Sequence, residues 1–101
     1  MIIYNVTVSI NHDVHDEWVK WMKDVHIPDV MATGFFLEYR FARVLLVDEA
    51  DGVSYSIQYL CKNMADLQVY HGSHAPKLQA EVNKKYEGKF AAFRTVLETV
   101  D

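Results

Sequence analysis

Val53-Ser-Tyr-Ser-Ile-Gln-Tyr-Leu-Cys61 sets Val53, Tyr55, Ile57, Tyr59 and Cys61 on one side of an extended chain and Ser54, Ser56, Gln58 and Leu60 on the other. Alternation of period two is the mark of a strand with one face against a core. The N-terminal stretch repeats it, with Ile2, Tyr4, Val6, Val8 and Ile10 opposed to Ile3, Asn5, Thr7 and Ser9. Two strands with matching rows predict a sheet covered on one face. Between them, Asn11-His12-Asp13 supplies turn and cap groups, and Asp16 and Glu17 suit the positive end of a helix dipole. Val14, Trp18, Trp21, Met22 and Val25 then recur at helical spacing. Pro28 biases Ile27 away from the helical region, so this helix should end or kink near His26, with a short turn through Val30 and Met31 reaching Gly34.

Further outward, Phe35 to Val47 is rich in aromatic and aliphatic residues, and Asp48-Glu-Ala-Asp-Gly52 offers a hairpin loop with Gly52 available for a positive φ. Past Cys61, Asn63 to Asp66 resembles a capped helix start followed by Met64, Leu67 and Tyr70. Gly72 interrupts the stripe, Ser73 recaps it, Pro76 is tolerated in a first turn, and Leu78, Val82 and Tyr86 continue; the second helix is expected in two pieces. Gly88 ends it. Phe90 to Val100 reads as a fourth strand whose residues do not settle which side faces the core.

The resulting β-α-β-β-α-β order defines a single α+β domain over residues 1–101, ferredoxin-like, with a four-stranded antiparallel sheet and both helices on one face. Asn5, Thr7, Ser9, Ser54, Ser56 and Gln58 are then left on the opposite face. Without a bulge, Phe36, Glu38, Arg40, Ala42, Val44 and Leu46 of the second strand join them. Such a face is polar at its centre and apolar at its edge, which predicts cover by a second copy: a homodimer, closing a dimeric α+β barrel. Arg43 falls among apolar neighbours by strict alternation, so a bulge, or an acidic partner near a helix end, is expected there.

The chain has 101 residues, half of them hydrophobic, which supports one modest core and makes self-association a favourable way to bury more. A net charge of -4, with both signs interspersed, argues against nucleic acid and against an anionic membrane surface. The same strand order occurs in RNA-recognition domains, but Tyr55 and Tyr59 share the helix-facing row, and the opposite row lacks rings for base stacking. The N-terminus alternates and so reads as a strand, no run is long enough to span a bilayer, and a cytoplasmic location is expected. Lone Cys61 falls in the core row and reads as inert.

Several segments together carry a resemblance: Met1-Ile-Ile-Tyr-Asn-Val-Thr-Val8, Trp18-Val-Lys-Trp-Met22, His26-Ile-Pro28, Thr33-Gly34, His74-Ala-Pro76 and Phe90-Ala-Ala-Phe-Arg-Thr95. Over nearly the whole chain this pattern resembles a bacterial family of domains of unknown function. Leu67-Gln-Val-Tyr-His-Gly-Ser-His-Ala-Pro-Lys-Leu78, as a broken second helix in this strand order, looks like the dimeric α+β barrel superfamily. That superfamily includes antibiotic-biosynthesis monooxygenases and stress-responsive A/B-barrel proteins. The resemblance implies the fold and the dimer and carries over no catalytic residues.

Chemistry must therefore be sought in individual residues. His26, at a helix end beside a proline, is the first candidate for a base or anion holder, although a histidine there commonly serves as a cap. His74, where the second helix restarts, could help free backbone N–H groups hold an anion, or simply pack. The i,i+3 pairs His12/His15 and His71/His74 straddle a cap and a glycine, so no metal site is expected. No HExxH, Walker, GxSxG or GxGxxG motif occurs, and no cofactor is expected. Asn5, Thr7, Glu38, Arg40, Ser56, Gln58 and Arg94 form the best ligand-binding set; the same groups could equally make an ion-pair network across a dimer interface. The leading expectation is a dimeric barrel that binds a small polar-headed organic molecule between sheet and helices. The alternatives are a cofactor-independent, monooxygenase-like enzyme with His26 or His74 as base and Arg40 as anion holder, and a purely structural or interaction dimer.

Overall fold

The computed structural model describes residues 1–101. Strand β1 (Ile2–Ile10) leads through a 3-10 turn (His12–Val14) into α1 (His15–Trp21), a π turn (Met22–His26) and α2 (Ile27–Ala32). Strands β2 (Phe36–Arg43) and β3 (Val53–Cys61) follow, then α3 (Met64–Ser73), α4 (Ala75–Tyr86) and β4 (Phe90–Glu98). The strands form one sheet in the order β2-β3-β1-β4, every pair antiparallel, so β1 and β3 are central as their clean alternation requires.

The helices lie on the side of the sheet carrying Tyr4, Val8, Ile10, Val53, Ile57, Tyr59 and Cys61, all buried. Trp18, Ile27, Val30, Leu67, Leu78 and Tyr86 meet them from the helices in one continuous cluster. Burying a large apolar side chain contributes roughly 1.5–3 kcal/mol, so this single layer supplies most of the favourable term. Cys61 lies within it, with its thiol directed at the Asn63 carbonyl, as its place in the core row predicts.

Pro28 does not end the first helix. Ile27 keeps helical angles, φ -62 and ψ -45, and the chain stays helical to Ala32. A proline removes the bond to the carbonyl four residues back and its ring strikes that group. Here the preceding turn is widened instead: the Ile27 N–H donates to the carbonyl of Met22, five residues back. The buried positions record the extra residue, since Trp18, Met22, Ile27 and Val30 are spaced by four, five and three.

The second helix breaks at His74, whose φ of -122 and ψ of -39 leave the helical region, and not at Gly72, which lies inside α3. Asn63 caps α3 as expected, its side-chain oxygen accepting from the Asp66 N–H at 2.8 Å. Pro76, in the first turn of α4, disfavours helical geometry just before it and sets the break near this point.

Strand β2 is shorter than expected and bulged. An irregularity between Phe36 and Glu38 places Phe36 on the helix side opposite Cys61, while Glu38, Arg40 and Ala42 face away. The strand stops at Arg43, whose guanidinium donates to both carboxylate oxygens of Glu49 at 2.7 and 3.1 Å; the acidic partner comes from the β2–β3 loop and not from a helix end. Leu45, Leu46 and Val47 therefore sit in an exposed loop, where Leu46 takes the positive φ of 60. Gly52 is needed for a different reason: a Cβ there would lie 2.6 Å from the backbone oxygen of Ile10.

Register also settles β4. Phe90, Ala92, Arg94 and Val96 stand opposite Ile10, Val8, Val6 and Tyr4 and share the helix side, whereas Phe93 and Leu97 face away. On that outer face Asn5 is only 9% exposed, its amide donating to Thr7 at 3.0 Å and its oxygen accepting from Ser56 at 2.5 Å. Phe93 and Leu97 beside it remain 62% and 42% exposed.

Candidate functional site

A cavity of about 60 Å³ lies between the sheet and the helices, largely enclosed and open at one side. Its floor is the inner face of β1, β3 and β4, with Tyr4, Ile57, Tyr59 and Arg94; α4 contributes Gln79, Val82 and Asn83 to its wall. The first helical segment supplies Trp18, Met22 and His26. Both ends of the π turn therefore line the cavity, because the wider turn lets His26 and its neighbour Ile27 approach the sheet together. Insertions of this kind recur at functional sites in helices.

His26 stacks on Trp21, with ring centroids 5.3 Å apart and planes at 25°, and its Nδ1 is sealed from solvent with no hydrogen-bond partner. An unpaired buried polar atom costs roughly 1–3 kcal/mol. Burial pushes the imidazole down to about 4, Arg94 adds to the depression, and Asp29 opposes it. The ring is consequently neutral near pH 7, with one nitrogen able to donate and the other to accept.

Arg94 donates from Nε to the Tyr4 hydroxyl at 3.0 Å and forms no ion pair. Tyr70, packed edge-on against Phe36 at 4.7 Å, closes the aromatic side. Burial raises both Tyr59 and Tyr70 well above the ordinary phenol range, so neither adds negative charge to the cavity at neutral pH.

The residues singled out in the sequence separate into three places. His26 and Arg94 meet in this cavity. Asn5, Thr7, Glu38, Arg40, Ser56 and Gln58 lie across the sheet from it, on the outer face, where Glu38, Arg40 and Gln58 flank a shallow recess with Ile3 and Leu60. Arg94 thus does not join that set, and Arg40 is on the wrong side to hold an anion for His26. His74 lines a separate groove with Asp29, Lys77 and Glu81, its ring 5.6 Å from Phe35. His12 contacts the Glu49 carbonyl and His15 the Tyr55 hydroxyl, so these two point to different partners. No three His, Cys, Asp or Glu side chains converge in a manner that could hold a metal. Sequence reasoning passed over Tyr4, Tyr70, Gln79 and Asn83: Tyr4 on the helix-facing row of β1 and Tyr70 on the apolar stripe of α3 read first as packing, and the two polar residues of α4 carried no signal.

A βαββαβ chain whose four-stranded antiparallel sheet is covered by helices on one face, with the cavity between the two layers, defines the ferredoxin-like α+β class. Within that class, the chain belongs to the DUF4286 family, a domain of unknown function, whose model matches residues 1–100. No curated protein sequence matches it. Among solved structures it is similar to a mutant of MhuD with two manganese protoporphyrin IX bound per active site, at 14% identity and a TM-score of 0.73, over 100% of this chain and 96% of that one. A dimeric ferredoxin-like protein from an uncultured marine organism gives 8% identity and a TM-score of 0.73 over 99% and 94%. An antibiotic biosynthesis monooxygenase gives 14% and 0.64 over the full length of both chains. At such identities the likeness is one of fold. No helix is long and apolar enough to cross a membrane.

Proposed function

We propose that this protein is a homodimer that binds a small organic molecule in the cavity between sheet and helices. The observation that carries the binding is His26: a half-buried, neutral imidazole, its Nδ1 unpaired, on the wall of an aromatic cavity that also holds Arg94. Pockets of this composition, mostly apolar with a few convergent polar groups, are the usual form of small-molecule sites. The dimer is supported by the outer sheet face, where exposed Phe93 and Leu97 adjoin the already desolvated Asn5, and by the dimeric relative of the same fold. Binding is favoured over catalysis because a base depressed to about 4 has little driving force to take a proton at neutral pH.

Thermal-shift screening against small organic acids, amides, alcohols and amines tests the binding. Stabilisation by at least one class, lost in His26→Leu, is expected; no stabilisation by any compound overturns it. Sedimentation tests the assembly: the parent should run as a dimer and Phe93→Asp/Leu97→Asp as a monomer, and a monomeric parent overturns the homodimer.

A further inference from the structure

We infer that the molecule held in the cavity is an organic monoanion of about one-ring size, its acidic head on the Arg94 guanidinium and its apolar body among the rings of Tyr4, Tyr59 and Tyr70. This rests on the cavity-binding reading and adds the charge and size of the ligand.

Charge is decided by counting what lines the cavity. Of its 17 lining residues, Arg94 alone carries a charge at neutral pH, and no carboxylate is among them. Arg43, at the end of β2, shows the contrast. Arg43 is saturated by Glu49 through two hydrogen bonds. Arg94 has five donors, of which the Tyr4 hydroxyl occupies only Nε–H, and the remaining fork is free to take two oxygens of one acid. Tyr4 is 3% exposed and fixed between Tyr59 and Phe36, with centroids 6.1 Å away in each case. The guanidinium is thereby tethered by a rigid neighbour, which lowers the entropy lost when it grips an anion.

Size and polarity follow from the rest of the lining. Thirteen of the 17 residues are hydrophobic, and the enclosed 60 Å³ compares with roughly 10–15 Å³ for one water on such a measure. Because the cavity is not closed off and Arg94 is solvent-exposed, a single ring or short branched chain can sit partly within it with its charged end toward solvent. His26, neutral, adds no second positive charge and so does not call for a dianion. Gln79 and Asn83 on the wall supply hydrogen bonds to a further polar substituent.

Isothermal titration with four probes tests the inference: benzoate, its neutral isostere benzamide, the cation benzylamine, and the unbranched anion acetate. Benzoate should bind at least tenfold more tightly than the other three. Arg94→Gln should weaken benzoate at least tenfold while leaving benzamide unchanged, and Arg94→Lys should recover part of the loss. Benzamide binding as tightly as benzoate, or benzoate indifferent to Arg94→Gln, overturns the anion while the binding cavity stands. If none of the four binds and the broader thermal-shift screen is also silent, the cavity-binding reading falls with it. Arg94 is solvent-exposed and outside the hydrophobic cluster, so its variants should fold; matching urea midpoints check this.

Discussion

Tyr4 and Arg94 sit on neighbouring strands two residues out of register, and the hydroxyl of the first accepts from the Nε of the second at 3.0 Å. The bond runs along the cavity floor, so it fixes a surface charge against a buried ring. Tyr4→Phe keeps the ring and removes the tether. Stability should fall by about 1 kcal/mol, the ordinary net worth of such a bond. Benzoate affinity should drop several-fold as the guanidinium gains freedom, with urea denaturation and titration calorimetry as the two readouts.

His26 links the cavity to acid stability. Its folded-state value, about 4, lies below the unfolded value near 6.5, so between these the unfolded chain binds more protons. Its contribution is therefore full above about 6.5, is lost as pH falls toward 4, and is constant below that. The span corresponds to on the order of 3 kcal/mol. His26→Phe should flatten this part of the curve, checked by urea midpoints measured from pH 7.5 to 4.

The π turn can be removed by design. Deleting Lys23, an exposed residue, together with Pro28→Ala brings Trp18, Met22, Ile27 and Val30 to spacings of four, four and three, those of an uninterrupted α-helix. The variant should be at least as stable as the parent, because the wide turn and the proline are both gone. It should bind benzoate at least tenfold more weakly, because His26 rotates away from the cavity wall. Circular dichroism with denaturant and titration calorimetry separate the two effects.

Two glycines offer a paired test of backbone geometry. Gly52→Ala drives a Cβ to 2.6 Å from the Ile10 backbone oxygen and should cost roughly 1–3 kcal/mol. Gly72→Ala, inside α3 with nothing within 4 Å, should stabilise by about 0.5–1 kcal/mol. Melting curves of the two variants should move in opposite directions.

Element order, the central pair of strands and the apolar face were legible because β1 and β3 alternate without interruption, and period two allows only one facing. The cavity was legible only in part. His26 stood out by its place beside Pro28, but its companion Arg94 lies on β4, where Phe90, Phe93, Val96 and Leu97 fit neither period. Only the pairing of Arg94 with Val6 puts it on the helix side. The expectation of Arg40 as anion holder beside His26 ran against its own alternation, which already set it on the face away from the helices, where it lies; the bulge changed the facing of Phe36. Pro28 misled for a physical reason: its local bias is real, and tertiary packing of Ile27 and Val30 outweighed it by widening the turn behind it. Gly72 misled similarly, since a glycine weakens a helix without obliging it to stop.

In genetic terms, the wide turn is a single codon. One in-frame residue between Met22 and Ile27 separates an ordinary amphipathic helix from one that presents two successive side chains to the sheet, and its gain or loss leaves every strand and every loop length elsewhere untouched. A chain of this fold can therefore gain the placement of His26 by one inserted codon, and shed it by one deletion once Pro28 has been replaced, with no intermediate that must first give up its core.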